Sequence, residues 1–213
     1  MEPLDKLKND WKKNGGKYPK FSEKEIYAML HKGSSSIVKW ILIISILEFI
    51  FWIGLSFLMK DSQGSQRINN MHIDYITIPM TILSYGIIIY FAVVFYLNYK
   101  KINATDNAKT LMVNILKTRK AVSNYIFINL AYMMIGSLLI LVLFFYYDPS
   151  LINALHQSEE NGDTMKFYLV YFGLTILLLG VFIFIVWLLY KLIYGTLLKR
   201  LKRNYNELKK LDF

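Results

Sequence analysis

The stretch IVKWILIISILEFIFWIGLSFLM, residues 37–59, carries the reading of the fold. As a helix rising about 1.5 Å per residue it is long enough to cross a hydrocarbon layer of about 30 Å. Three further apolar runs match it, Ile76–Leu97, Tyr125–Tyr147 and Phe167–Tyr190. None has a polar face wide enough for a helix packed in water. In lipid every backbone amide must be satisfied within its own segment, so the runs read as helices and not strands. A chain that is 55% hydrophobic and 16% aromatic is also too apolar for an ordinary soluble domain. The predicted fold is all-α, an integral membrane four-helix bundle with cytoplasmic amphipathic helices.

The charges give that bundle a direction. Residues 1–36 carry eight Lys against five acids, and Lys39 adds one more base at the mouth of the first run. The next connection is neutral, with Lys60 and Arg67 against Asp61 and Asp74. The middle connection holds Lys100, Lys101, Lys109, Lys117, Arg119 and Lys120 against Asp106. The third is acidic, with Asp148, Glu159, Glu160 and Asp163 against Lys166, and the tail from Lys191 has seven bases against Glu207 and Asp212. Basic segments alternate with neutral or acidic ones, as the positive-inside rule requires for an even number of spans. Both termini are therefore expected in the cytoplasm, with the chain in a bacterial inner membrane. The net charge of +10 then reflects topology and contact with anionic lipid, and nucleic-acid binding is not expected. Residues 1–36 lack a short apolar region followed by a small-residue cleavage pattern, so the first span is expected to stay in the mature protein. The absence of cysteine excludes disulfides, thiolate metal sites and cysteine nucleophiles.

Three units follow. Residues 1–36 are a cytoplasmic helical segment, 37–198 the four-span bundle, and 199–213 a basic C-terminal helix. In the first, Leu4, Leu7 and Trp11 recur at helical spacing after Pro3, and Gly15–Gly16 ends the pattern. Ser22 and Glu25 form a capping box ahead of Ile26, Met29 and Leu30 on one face. Gly33 and Ser34–Ser36 read as a polar hinge into the first span. A further cytoplasmic helix is predicted over 105–121, capped by Thr105 or Asp106. After Tyr190 the fourth span continues with Leu197, Leu198, Leu201, Tyr205, Leu208 and Leu211 as an apolar stripe. Lys117, Arg119, Lys120, Lys199, Arg200, Lys202 and Arg203 are the expected contacts to lipid headgroups. The connections 60–75 and 148–166, punctuated by Gly64, Pro149 and Gly162, read as loops.

Glu48 is the one acid inside its apolar run. Burying its bare charge is costly, so it must be protonated or find polar partners between helices. Counting from the start of the run places it near mid-membrane, level with Tyr85 and Tyr132 and about one turn from Asn129, with Ser45 on its own face. Two roles fit: a proton-linked switch or cavity floor, and a hydrogen bond holding helices together. His31 is assigned to one side of the membrane and His72 and His156 to the other, so they cannot converge on one metal. No zinc-protease, phosphate-loop or nucleophile-elbow motif occurs. No cofactor, metal or catalytic residue is expected. Gly136, Ser137, Gly173 and Gly180 allow close helix approach, within the chain or between two copies.

Three stretches, FSEKEIYAMLHKGSSSIVKW at 21–40, LMVNILKTRKAVSNY at 111–125 and YGTLLKRLKRNYNELKKLDF at 194–213, resemble a family of uncharacterised Bacteroidota-type four-span membrane proteins. The resemblance implies association with sigma factors, and so a membrane-held anti-sigma role. A carotenoid-cleaving oxygenase activity, sometimes attributed to such proteins, needs a cluster of iron-ligating histidines that this sequence lacks.

The expected function is that of a non-enzymatic regulatory or scaffold protein. It would present Leu4, Leu7, Trp11, Ile26, Met29 and Leu30 to a cytoplasmic or membrane protein partner. Two alternatives stand beside it: a small transporter or ion-coupled subunit using Glu48, and an obligate subunit of a larger membrane assembly or a homodimer.

Overall fold

The computed structural model describes Lys8 and residues 21–105 and 107–211. Its order is α1 (Glu23–Leu58), α2 (Gln63–Asn70), α3 (Asp74–Asn103), α4 (Ala108–Tyr147), α5 (Pro149–Glu160) and α6 (Thr164–Lys210), with no strand among the described residues. The long helices α1, α3, α4 and α6 are each long and apolar enough to cross a membrane, which fits a multi-pass membrane protein. They pack in a closed ring, α1 on α3, α3 on α4, α4 on α6 and α6 on α1. We call the end holding the start of α1, the α3–α4 turn and the finish of α6 the basic end.

Two predicted breaks are absent. Gly33 and Ser34–Ser36 do not form a hinge, because α1 runs unbroken from Glu23 to Leu58. Those small residues instead admit neighbouring side chains. Asn204 of α6 donates from Nδ2 to the Ser34 Oγ at 3.1 Å, and the Ser35 hydroxyl donates to Asn103 Oδ1 at 3.2 Å. A Cβ on Gly33 would meet the Asn204 amide nitrogen at 3.3 Å, so glycine lets α1 and α6 close here. The separate helix predicted over 105–121 is the first part of α4, capped by Asn107, whose side chain accepts from the Lys109 N–H at 2.8 Å. The Thr105 hydroxyl turns back to the Lys101 carbonyl, and Asp106 lies outside the described residues. The fourth span runs on past Tyr190 as its apolar stripe predicts, so residues 199–210 of the basic C-terminal unit belong to α6.

The two connections expected to be loops contain helices. Ser62 caps α2, and Asp148 caps α5 with Pro149 in the first turn, so residues that punctuate loops here act as helix starts. Gly162, at φ 74°, closes α5 with a Schellman pair, Asp163 N–H to Ser158 O at 2.8 Å and Gly162 N–H to Glu159 O at 3.1 Å. Asp148 is buried and its Oδ2 stands 3.2 Å from the Arg67 guanidinium, fastening α2 to the α4–α5 corner. Asp148→Ala is expected to lower stability by about 1–2 kcal/mol through loss of the cap, whereas Asp148→Asn keeps the capping oxygen and retains most of it. Denaturant titration of the purified protein in bicelles measures both, and equal losses for the two would show that the ion pair, not the cap, matters.

Ser22 and Glu25 do form the capping box, the Ser22 N–H donating to Glu25 Oε2 at 2.8 Å. That backbone bond first, and the Ser22 hydroxyl second, hold the Glu25 carboxyl below its ordinary range. Its contribution to α1 is therefore complete above the usual carboxylate pKa and is lost as pH falls through the lowered value.

Burial is uneven along the bundle. Val38, Ile102, Leu111, Ile115, Leu201 and Leu208 are fully enclosed and form one core at the basic end. A second core of Ile41, Phe91, Phe95, Val122, Tyr125, Tyr190 and Tyr194 lies above it. Beyond these, α1 has no buried residue after Ser45, and α6 has none before Tyr190. Leucines there such as Leu58 and Leu177 are 80% and 61% exposed. Apolar side chains left open over that length fit a hydrocarbon surround, whereas the basic end combines an enclosed core with a charged surface.

Candidate functional site

Glu48 is held by tyrosines from two other helices. The Tyr125 hydroxyl of α4 donates to its Oε2 at 2.7 Å, and the Tyr194 hydroxyl of α6 to the same oxygen at 3.3 Å. The Tyr190 hydroxyl, one turn earlier on α6, donates to Oε1. The three rings pack on one another, with centroids 5.8–6.1 Å apart. Phe91 and Phe95 of α3 meet Tyr125 edge-on at 5.3 and 5.5 Å, so all four long helices converge on this point. A carboxylate offers four acceptor positions, and three hydroxyl donors fill most of them. We call this arrangement the tyrosine clasp.

One side of the clasp is open. Glu48, Tyr190 and Tyr194 line a groove of about 560 Å³ between α1 and α6, whose other walls are apolar, among them Leu47, Phe51, Leu55, Phe182 and Leu189. Among the described residues no Lys, Arg or His pairs with Glu48.

The residues expected to share Glu48's depth lie elsewhere. Ser45 is buried one turn away, but its hydroxyl donates to the Leu42 carbonyl of its own helix. Asn129 donates to the Tyr125 carbonyl at 3.0 Å, and Tyr132 donates to the Met80 carbonyl just after Pro79. Both line a neighbouring cavity of about 250 Å³ with Ser84 and Ser137, which shares Trp52 and Tyr190 with the groove. Tyr85 packs edge-on against Phe49 with ring centroids 5.9 Å apart. Counting along α1 alone put Glu48 in the centre of its run. Its partners Tyr125 and Tyr190 are the first and last residues of theirs, so along α4 and α6 the clasp sits at the basic edge of the apolar region.

Tyr125, Tyr190 and Tyr194 are not among the sequence-predicted site residues, because Tyr125 and Tyr190 mark run boundaries and Tyr194 falls in the basic continuation of the fourth span. The signal was present on α6: the stripe Leu197, Leu201 and Leu208, traced backward at helical spacing, reaches Tyr194 and Tyr190.

Of the residues expected to meet a partner, Leu4, Leu7 and Trp11 lie outside the described residues. Met29 is exposed, Ile26 half-buried, and Leu30 packs against the basic-end core. Lys117, Lys120, Lys199, Arg200, Lys202 and Arg203 are exposed, as headgroup contacts require. Arg119 is half-buried, with its Nε enclosed and without an acceptor among the described residues. His31 bonds the Ile102 carbonyl at 2.7 Å at the basic end, while His72 and His156 belong to the opposite end. Among the described residues no group of His, Asp and Glu is placed to hold a metal ion. Gly136 admits the Met80 methyl, which would lie 3.1 Å from a Cβ, whereas Gly173 and Gly180 face open space.

The model of one protein family, described as a domain of unknown function (DUF8845), matches residues 24–213. No curated protein and no solved structure matches the chain.

Proposed function

We propose, for a chain that belongs to the DUF8845 family, a non-enzymatic regulatory or scaffold role in the bacterial inner membrane, with both termini cytoplasmic and the basic end offered to a protein partner. One observation carries this reading. The four long helices continue past their apolar stretches without a break and build an enclosed core, Ile102, Leu111, Ile115, Leu201 and Leu208, joined by Val38 at the edge of the first stretch. A membrane anchor alone has no use for such a core, whereas a platform that must hold its shape beyond the lipid does. Exposed Phe21 and Met29 at the start of α1 are the described apolar side chains nearest the N-terminal segment that the partner would meet. A membrane-held anti-sigma protein is the most specific form, and it draws only on the sequence resemblance.

The test uses the whole chain in native membranes. A photo-crosslinking residue in place of Met29 is expected to trap one discrete soluble protein, while the same residue in place of Leu177 traps lipid only. Repeated absence of a protein adduct at Met29 would sink the reading. Topology is checked separately, and the lack of native cysteine makes this clean. A cysteine at Ser158 is expected to react with an impermeant maleimide on intact spheroplasts, and one at Lys202 only after lysis. The reverse pattern would invert the map.

An obligate subunit of a larger membrane assembly, or a homodimer, is the second reading. Gly173 and Gly180 support it, since each leaves open space on α6 where another helix can approach closely.

A further inference from the structure

We propose that the groove between α1 and α6 binds a membrane phospholipid bearing a primary-amine headgroup, with an acyl chain along its walls and the ammonium on Glu48. The inference rests on the membrane reading of the long helices and is independent of any protein partner.

Three observations converge on that ligand. The groove is apolar over most of its length, and from Glu48 to Leu55 the α1 wall runs about 10 Å, enough to seat the upper part of an acyl chain. At its polar end stands a carboxylate with no cationic partner among the described residues. Three hydroxyls occupy three of its four acceptor positions, which leaves one on Oε1. A primary ammonium supplies both what is missing, a positive charge and an N–H donor. The third observation is level. Lys191 directly follows Tyr190, and Tyr125 opens its apolar run, so the clasp lies where headgroups meet hydrocarbon and not at the bilayer centre. A lipid headgroup reaches that level without dragging its phosphate into the chains.

The same chemistry sets the specificity. A choline headgroup carries the charge but has no N–H to donate. A glycerol headgroup donates but leaves the carboxylate uncompensated, since without an ammonium its lipid carries a net negative charge. A quaternary ammonium has no aromatic cage to enter either, because Tyr125 and Tyr194 are buried against the Glu48 side chain itself.

Native mass spectrometry of the full chain, released from micelles spiked in turn with phosphatidylethanolamine, phosphatidylcholine and phosphatidylglycerol of identical acyl chains, tests this. Phosphatidylethanolamine is expected to bind about tenfold more tightly than either of the others, equivalent to about 1.4 kcal/mol. Glu48→Gln should erase the preference while leaving weak, unselective lipid binding. Leu189→Trp fills the groove without touching the clasp and should lower retention of phosphatidylethanolamine, which keeps the test decisive if Glu48→Gln assembles poorly. Equal affinity for the three lipids, a preference that survives Glu48→Gln, unchanged binding in Leu189→Trp, or a groove occupied by a second copy of the chain would each overturn the proposal.

Discussion

Glu48→Ala is expected to cost about 3 kcal/mol of stability, the largest effect of any single change in the apolar region of the bundle. The alanine leaves three tyrosine hydroxyls, one on α4 and two on α6, without the acceptor they share. Hydrogen bonds to a charged acceptor are worth about 1.5–3 kcal/mol each in water-soluble proteins, whereas side-chain bonds between membrane helices average about 0.6 kcal/mol with a maximum near 1.7. Three bonds at the edge of the apolar region fall between those limits, at about 1 kcal/mol each. Glu48→Gln keeps an acceptor oxygen and should lose about half as much. Tyr125→Phe removes a single bond and should lose about 1 kcal/mol. Because the three tyrosines share one carboxylate, the effects are not additive, and a double-mutant cycle between Glu48→Ala and Tyr125→Phe should return a coupling close to the whole effect of the tyrosine change. Denaturant titration in bicelles reads all of these. A Glu48→Ala protein within about 0.5 kcal/mol of the parent would show that the clasp holds nothing together.

Truncating the same residue type at two places on α6 should give opposite answers. Leu201 is fully enclosed at the basic end, and Leu201→Ala is expected to cost about 3 kcal/mol, in the middle of the range for a buried leucine. Leu177 is 61% exposed, and Leu177→Ala should change stability by a few tenths of a kcal/mol, since its surroundings are as apolar as the side chain. The contrast separates the two solvents of one helix. A large loss at Leu177 would mean that another protein surface, not lipid, covers that face.

The fold was legible where hydrophobicity alone decides it. Four long apolar runs gave four long helices, and the Ser22–Glu25 capping box marked the start of α1 to the residue. What the sequence hid was continuity. Gly33 with three serines after it, or a basic stretch before Tyr125, reads locally as an end to a span. Only the partner side chains, Asn204 for Ser34 and Asn103 for Ser35, show why the helix goes on. Loop composition misled at Ser62 and Asp148–Pro149 for a related reason, since the residues that favour turns are also those that start helices. The site was half legible. Glu48 stood out as an acid in an apolar run, but its partners could not be found by counting from run boundaries, because the packed helices are offset from one another along the bundle. That offset brings residue 48 of one run opposite the first residue of another.

The absence of any interruption in α6 has a mechanical corollary. Thr164–Lys210 is one rod of 47 residues, about 70 Å from tip to tip. A helix with no break has no hinge at the boundary between two solvents, so an angular displacement imposed at one tip is expected to reach the other with only gentle bending between them. Tyr190 and Tyr194 lie partway along it and grip α1, which makes Glu48 the fulcrum about which such a lever would turn.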